Sequence, residues 1–241
     1  MPTVVDAVAD ALRQAEHVCV LTGAGVSAES GVPTFREAQS GLWEQYDPAD
    51  LATPEAFLRD PELVWRWYRW RRELVAKAKP NPGHIAIAEL ATRVPRLTLV
   101  TQNVDGLHQR GGSQDVIEFH GNLFEDRCFV EGCEVITGTH DGVPRCPGCG
   151  GLVRPGVVWF GEAIPDRALE DAFAAAADCD VFLSIGTSSL VFPAAGLVEI
   201  ALRKGSKAIE INPNPTSSRK AFHHVVAADS GVALPEIVDA I

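Results

Sequence analysis

Four of the six cysteines in this 241-residue chain occur as two close pairs. Cys128 and Cys133 are separated by four residues, and Cys146 and Cys149 by two. Cysteines at such spacings are typical of a tetrahedral zinc site, and four thiolates leave no coordination position for water. The spacing therefore predicts that these four residues hold a zinc ion with a structural role. The alternative is a loop of thiols that binds no metal.

A glycine-rich turn follows the first predicted strand, residues 17–21. Gly23-Ala24-Gly25, with Ala28, fits the G-x-G-x-x-G/A pattern, in which backbone N–H groups approach a dinucleotide pyrophosphate at a helix N-terminus. The acidic residue expected about 20 positions further on is not evident. A glycine turn without a ligand is thus the alternative. Small and turn-forming residues continue through 27–36, which predicts a loop able to fold over a ligand.

Hydrogen-bonding side chains follow a second predicted strand, residues 96–101. Gln102, Asn103 and Asp105 come directly after it, at the edge where an open α/β sheet holds its ligand. Further along, His120 stands beside a glycine, where the backbone can pack closely. Histidine titrates at about pH 6.5, which suits a proton acceptor at neutral pH, but from the residues alone a lone histidine is more often structural. Five other histidines are expected to be structural: His17, His84, His140, His223 and His224.

An α/β scaffold has to position these groups. Strand patterns at 17–21, 96–101, 181–185 and 207–211 alternate with helical patterns at 4–15, 83–93, 165–177 and 193–204. This alternation predicts a Rossmann-like parallel sheet covered by helices. We expect that domain to comprise residues 1–35, 81–123 and 155–241, with residues 36–80 and 124–154 inserted as a smaller helical and zinc-binding module.

Composition narrows the class of protein. The net charge of −11 and the pI of about 5.1 disfavour nucleic acid as a partner. No apolar run approaches the roughly 20 residues that span a bilayer, and the first residues are acidic rather than basic. We therefore expect a cytoplasmic protein without a membrane partner; its oligomeric state is not predicted.

Cys19 and Cys179 lie in apolar runs and are expected to be buried thiols.

Five segments, in order along the chain, resemble the signature blocks of the sirtuins, the NAD-dependent protein deacylases. They are GAGVSAESGVPTFR at 23–36, TQNVDGLH at 101–108, FHGN at 119–122, GTS at 186–188 and IN at 211–212. The resemblance spans about residues 8–240. It implies that NAD binds in the Rossmann-like domain and that an acyl-lysine protein or peptide enters the cleft beside the smaller module. The acyl group would pass from lysine to ADP-ribose with release of nicotinamide.

The resemblance also assigns roles to single residues. His120 would be the catalytic base, with Asn103 and Asp105 in the catalytic set, and His108 would support the site without touching the ligands. General-base help of this kind is typically worth about 10²- to 10⁴-fold in rate. The implied cofactor-binding residues are Gly23, Ala24, Gly25, Ser27, Phe35, Arg36, Trp43, Gln102, Asn103, Val104, Asp105, Gly186, Thr187, Ser188, Asn212, Pro213, Asn214 and Ser230.

A basic, aromatic helix indicates which acyl group is removed. Tyr68 and Arg71 are three residues apart and therefore share one helical face. A hydroxyl and a guanidinium together can bind a carboxylate, whereas an acetyl group offers no such partner. The pair matches the Tyr-x-x-Arg of the class III sirtuins, which remove succinyl, malonyl and glutaryl groups. Thr34 and the small Ala52 agree with this, so we expect a desuccinylase and demalonylase with weak deacetylation.

A second substrate element is the stretch 158–162, which resembles the peptide-binding strand of the family. Backbone pairing with an extended substrate gives affinity with little side-chain selectivity. Gly156 stands where several class III relatives carry a bulkier residue, which predicts a more open cleft entrance. The expected substrate-binding residues are Ala52, Tyr68, Arg71, Val158, Trp159, Phe160, Gly161 and Glu162.

Other functions are open from the sequence alone. A general deacetylase differs only in whether Tyr68 and Arg71 face the cleft or lie on a solvated helix face. Mono-ADP-ribosyl transfer to a protein side chain would use the same NAD site without an acyl pocket. A non-catalytic NAD-binding scaffold is disfavoured by the presence of His120 with Asn103 and Asp105. A zinc-dependent hydrolase is disfavoured because four cysteine ligands leave no open coordination position.

Overall fold

The computed structural model describes residues 3–33, 46–138, 141–214, 216 and 220–241. The strands are β1 (His17–Thr22), β2 (Arg96–Thr101), β3 (Ile117–Glu118), β4 (Gly121–Cys128), β5 (Val153–Val157), β6 (Val181–Ile185), β7 (Lys207–Ile211) and β8 (His224–Val226). The helices are α1 (Val4–Arg13), α2 (Gly25–Ala28), α3 (Pro48–Leu51), α4 (Pro54–Arg59), α5 (Pro61–Lys77), α6 (Pro82–Arg93), α7 (Leu107–Arg110), α8 (Asp166–Asp178), α9 (Leu197–Lys204) and α10 (Ser230–Asp239).

Six strands form one parallel sheet in the order β3-β2-β1-β6-β7-β8. The four predicted strands are confirmed as β1, β2, β6 and β7, and the predicted α/β class with them. From β1 the chain adds β2 and β3 on one side, and then β6, β7 and β8 on the other. The strand order therefore reverses between β1 and β6, and ligands of open α/β sheets bind at the carboxyl ends of the strands at such a point.

Helices α1, α4, α5 and α6 begin at residues whose side chains cap them. Thr3 precedes α1 and accepts a hydrogen bond from the N–H of Asp6 at 3.1 Å, while Asp6 accepts from the N–H of Thr3. Asp60 caps α5 by accepting from the N–H of Leu63 at 2.9 Å. These side chains satisfy amide groups that have no partner inside the helix.

Among the described helices, none is both long and apolar enough to cross a membrane.

Apolar side chains cover both faces of the sheet. One buried cluster joins β1, β6 and β7 to α1, α6 and α10, and a second joins the opposite face to α8 and α9. Cys19 and Cys179 belong to the second cluster, which confirms them as buried free thiols. Strands β1 and β6 are buried along their whole length, as expected for a parallel sheet with helices on both faces.

A third cluster lies outside the large sheet and packs α3, α4 and α5 against the antiparallel pair β4 and β5. It includes the aromatic side chains of Phe57, Trp65 and Trp67. The two strands cross the expected limits of the smaller module at 123/124 and 154/155, so the pair belongs to both parts of the chain. The division into two modules remains a prediction.

Gly156 has a packing role that the sequence did not reveal. This residue lies buried in β5, where an added Cβ would be 2.7 Å from the Cβ of Glu125 and 3.1 Å from the carbonyl carbon and oxygen of Glu125. Glycine is therefore required by the close approach of β5 to β4. A larger residue there would collide with the neighbouring strand. The expected effect of Gly156 on the cleft entrance remains a prediction.

Candidate active site

The glycine turn after β1 packs against the turn after β6. The N–H of Gly23 donates to the carbonyl of Ile185 at 3.0 Å, and that of Gly25 donates to Gly186 at 2.8 Å. A Cβ on Gly25 would be 2.7 Å from the Gly186 oxygen, so only glycine fits. Both amide N–H groups are thus already hydrogen-bonded to the end of β6 and the turn that follows it. The turn lies at the expected place, but the two glycines serve close packing rather than offering N–H groups to a phosphate.

Ser27, Asn103 and Asp105 form a buried hydrogen-bonded network beside this turn. The Ser27 hydroxyl donates to Oδ2 of Asp105 at 2.7 Å and accepts from Nδ2 of Asn103 at 3.1 Å. Nδ2 of Asn103 also donates to the carbonyl of Gly23 at 3.1 Å. Oδ1 of Asp105 accepts from the N–H of Leu107 at 2.9 Å. Residues from two distant segments are therefore held in one rigid arrangement.

His84 is a member of this network that the sequence did not reveal. Its Nε2 lies 3.4 Å from the Ser27 hydroxyl, and its Nδ1 accepts from the N–H of Asn81 at 3.3 Å. Because Ser27 donates its proton to Asp105, His84 is the donor to Ser27 and is neutral. Burial lowers the pKa of His84, which favours the same state. Only the packing of α6 against α2 brings this histidine to the site.

His108, which we expect to support the site, lies at the end of β1 beside Thr22. It is buried, and its ring centroid lies 4.8 Å from that of His84. Its Nε2 is 2.9 Å from the Thr22 hydroxyl, which itself donates to Thr101 at 2.8 Å. Burial lowers the pKa of His108 to about 3, so the ring is neutral and donates to Thr22.

His120 lies between β3 and β4, close to the end of β2. Its Nδ1 is 3.1 Å from the carbonyl oxygen of Gln102. A carbonyl oxygen accepts only, so the proton sits on Nδ1 and Nε2 keeps its lone pair. Burial lowers the pKa of His120, and the hydrogen bond to Gln102 opposes this effect. The arrangement presents a neutral imidazole with one nitrogen ready to accept a proton.

Polar groups also gather at the ends of β6 and β7. Nε2 of Gln102 donates to the Thr187 hydroxyl at 3.0 Å, and Nδ2 of Asn212 donates to the Thr187 carbonyl at 3.0 Å. Gly186, Ser188, Pro213 and Asn214 lie in the same two turns. Ser230 stands at the start of α10, where its hydroxyl donates to Glu29. Hydroxyl and amide groups at this edge fit the ribose hydroxyls of a dinucleotide.

Backbone hydrogen bonds tie the stretch 158–162 to its surroundings. The N–H of Val158 donates to the carbonyl of His120 at 2.8 Å, and the N–H of Phe160 donates to that of Ala52 at 3.0 Å. Ala52 is buried, whereas the side chain of Phe160 is 55% exposed. The predicted substrate segment thus runs directly past the predicted base.

Tyr68 is buried in the third cluster rather than on a solvated helix face. It is 1% exposed, and its hydroxyl oxygen accepts from Nε1 of Trp159 at 2.8 Å. Burial raises the pKa of Tyr68 to about 12, with the charge of Arg71 opposing that rise. The phenol is therefore neutral and retains its proton at physiological pH.

Arg71 lies one turn further along α5 and is half-buried. Its guanidinium carbon is 5.0 Å from the ring centroid of Trp67. Burial lowers the pKa of Arg71, and the nearby charge of Asp105 opposes this shift. Arg72, in contrast, points to the other side, where it pairs with Asp126 at 2.7 Å. The helix therefore brings Tyr68 and Arg71 together, on the side of the Asp105 network.

The cysteine pairs come together at the third cluster, which includes Cys128 and Cys146. The sulfur atoms of Cys128, Cys133 and Cys146 lie within 4.8 Å of one another. The sulfur of Cys149 is 3.4 Å from that of Cys128. Four converging thiols fit a tetrahedral zinc ion.

Several predicted residues lie outside the described part of the chain. Phe35, Arg36 and Trp43 of the cofactor-binding set belong to residues 34–45, as does Thr34 of the acyl-group argument. His140, expected to be structural, is also outside it. The roles assigned to these residues remain predictions.

Sequence comparison shows what this chain resembles. The pattern that defines the Sir2 family matches residues 23–193. The chain is 50% identical to NAD-dependent protein deacylase 1 of Pseudomonas aeruginosa over 242 residues, covering 96% of this chain and 97% of that protein. It is 51% identical to the NAD-dependent protein deacylase of Ralstonia nicotianae, covering 99% of this chain and 100% of that protein.

Solved structures give the same result. A Sir2 homologue in complex with NAD superposes with a TM-score of 0.90 at 42% identity, covering 97% of this chain and 92% of that one. A Sir2 variant with a deacetylated p53 peptide and 3′-O-acetyl ADP ribose superposes with a TM-score of 0.83 at 30% identity, covering 98% and 97%.

Proposed function

Because this chain belongs to the Sir2 family, the sirtuins, and is an NAD-dependent protein deacylase, we propose that it removes acidic acyl groups from lysine. The substrates would be proteins or peptides that carry succinyl-, malonyl- or glutaryl-lysine, with weak activity on acetyl-lysine. The observation that carries this proposal is the placement of Tyr68 and Arg71. Tyr68 is buried and Arg71 half-buried, and the two lie on one face of α5.

The chemistry of this pair suits a carboxylate. Tyr68 is neutral, and its oxygen already accepts a hydrogen bond from Trp159, so its proton is the group left to donate. Arg71 supplies a positive charge and a planar set of donors that match a carboxylate. A hydrogen bond to a charged group contributes about 1.5–3 kcal/mol. Two such bonds would favour an acidic acyl group over acetyl by about 10²-fold or more.

NAD, when bound, supplies the ADP-ribose that accepts the acyl group. We propose that the residues at the ends of β1, β2, β6 and β7 hold it and that His120 is the base. The neutral His120 can accept a proton at Nε2, since its Nδ1 proton is held by the Gln102 carbonyl. The Ser27–Asn103–Asp105 network would keep Asn103 and Asp105 in fixed orientations toward the reacting groups.

We further propose that the four cysteines hold zinc as a structural ion. Their sulfur atoms converge beside the third cluster, whereas His120 and the Ser27 network lie at the ends of the large sheet. Because four thiolates fill a tetrahedral site, such an ion has no position for a substrate or a water molecule. Its role would be to stabilise the fold of residues 124–154.

The acyl preference is tested with one peptide carrying either succinyl-lysine or acetyl-lysine, assayed with and without NAD. We expect kcat/KM to favour the succinyl peptide in the wild type and to depend on NAD. Arg71→Met should remove most of this preference. Arg66→Met, an exposed arginine on the same helix, is the matched control and should keep the preference.

Two results would contradict the proposal. A wild-type preference for the acetyl peptide would make the protein a general deacetylase. An unchanged preference in Arg71→Met would show that this side chain does not bind the acyl group. Consumption of NAD with ADP-ribose attached to a protein side chain, and no deacylated lysine, would instead indicate mono-ADP-ribosyl transfer.

A further inference from the structure

We infer that Trp159 determines acyl specificity by orienting the hydroxyl group of Tyr68. This inference rests on the proposed function, because it concerns how the same acyl site recognises a carboxylate. Trp159 lies in the stretch expected to bind the peptide backbone, but its side chain is 2% exposed and points into the third cluster. Its indole therefore acts on Tyr68 and not on the peptide surface.

The hydrogen bond between the two side chains has a defined direction. Indole Nε1 can only donate, so the Tyr68 oxygen is the acceptor in the 2.8 Å contact. The hydroxyl proton must then point away from the indole. Without this bond the hydroxyl proton could take either of its two orientations in the plane of the phenol ring. Trp159 thus selects a rotamer of the hydroxyl in which its proton is available to a ligand.

A second set of contacts holds the indole in place. The guanidinium carbon of Arg154 lies 3.4 Å from the Trp159 ring centroid. Oε2 of Glu162 accepts from the backbone N–H of Trp159 at 2.7 Å and from Nη2 of Arg154 at 2.9 Å. Nη2 of Arg154 also donates to the carbonyl of Val157 at 2.6 Å. Arg154, only 9% exposed, thereby clamps both the ring and the backbone of Trp159.

The consequence is a chain of contacts from an ion pair to the acyl site. Arg154 and Glu162 fix Trp159, Trp159 orients Tyr68, and Tyr68 presents its proton beside Arg71. The Trp159–Tyr68 and Arg154–Val157 hydrogen bonds are buried and those of Glu162 are partly buried, and hydrogen bonds are stronger the more they are withdrawn from water. An acetyl group has no carboxylate to receive the proton, so this chain of contacts acts on the choice between acyl groups.

A double-mutant cycle tests the inference. Trp159→Phe removes the indole N–H and keeps an aromatic ring, while Tyr68→Phe removes the hydroxyl. We expect Trp159→Phe to lower the succinyl-to-acetyl ratio of kcat/KM by about 3- to 10-fold, as the loss of one hydrogen bond would. The change should lie mainly in KM for the succinyl peptide. In the Tyr68→Phe background, Trp159→Phe should cause no further loss.

Trp65→Phe is the matched control. Trp65 is also buried and donates its indole N–H, but to the carbonyl of Val153 at 2.9 Å. We expect it to leave the succinyl-to-acetyl ratio at its wild-type value. The ratio is measured on one protein sample, so partial unfolding, which removes both activities alike, does not alter it.

The outcomes separate this inference from the proposed function. If the wild type shows no preference for the succinyl peptide, the proposed function and this inference both fail. If the wild type has the preference but Trp159→Phe keeps the full ratio, only this inference is overturned. This inference is also overturned if Trp159→Phe lowers the succinyl-to-acetyl ratio by the same factor in the Tyr68→Phe background as in the wild type. Trp159 would then act independently of the Tyr68 hydroxyl.

Discussion

Nδ1 of His120 lies 3.1 Å from the carbonyl oxygen of Gln102. This contact fixes which nitrogen of the imidazole carries the proton, and it leaves Nε2 as the acceptor. Gln102 also donates from its side chain to Thr187, so the same residue connects the base to the turn after β6. The backbone at the end of β2 therefore positions the proposed base, and the side chain of Gln102 ties that strand end to the turn after β6.

We expect His120→Ala to lower kcat by about 10²- to 10⁴-fold, the usual contribution of a general base. The fold should be retained, because within the described part of the chain the side chain is held by the hydrogen bond to Gln102 at the edge of the site. Turnover and the melting temperature are measured on the same preparation. His223→Ala removes an exposed histidine whose ring accepts from Ala208, and it should keep full turnover. An active His120→Ala protein would exclude this residue as the base.

The pH profile of kcat/KM should show an acidic limb caused by His120. The imidazole accepts a proton only when neutral, so activity falls as the pH drops through its pKa. Burial lowers that pKa from the ordinary 6.5. The midpoint of the limb should therefore lie below 6.5, and activity should not depend on this group above it. A midpoint above 6.5 would mean that burial is not the main influence on the pKa of His120.

Cys146→Ala should abolish zinc binding and lower the melting temperature. Loss of one thiolate leaves three ligands, and structural zinc sites contribute directly to folding. Metal analysis of the purified protein and a thermal melt measure the two effects. Cys179→Ala, which removes a buried thiol elsewhere in the fold, should retain the metal. Zinc content that survives Cys146→Ala would show that this residue is not a ligand.

Gly121→Ala should destabilise the protein by more than about 3 kcal/mol. The backbone strain of a positive φ and the steric collision of the added Cβ both contribute to this loss. Gly121 has φ +77, and an added Cβ would be 2.1 Å from the carbonyl oxygen of Gly156. Gly205 has φ +92 with nothing within 4 Å of the same added atom. Gly205→Ala should therefore cost only about 1 kcal/mol, from backbone strain alone. If urea unfolding showed equal losses of unfolding free energy for Gly121→Ala and Gly205→Ala, the steric collision at Gly121 would be contradicted.

The sequence was sufficient for the elements with strong local patterns. Strands β1 and β6 are largely apolar and buried along their length, the pattern of a fully buried parallel strand. Strands β2 and β7 are short segments that mix apolar and polar residues and are most buried toward their carboxyl ends. The edge strands β3 and β8 have two and three residues, too few to show a period. Close cysteine spacing likewise predicted the cluster that the fold assembles. These features depend on neighbours in the chain.

The tertiary structure decided what depends on distant segments. His84 carries no distinguishing motif, and only the packing of its helix brings it to Ser27. The direction of the Trp159–Tyr68 hydrogen bond and the collision that requires Gly156 arise in the same way, between strands and helices far apart in the chain. Residue types determined which chemistry was available. Side-chain orientation, burial and proton position were set by packing, because each depends on atoms that the local sequence does not contain.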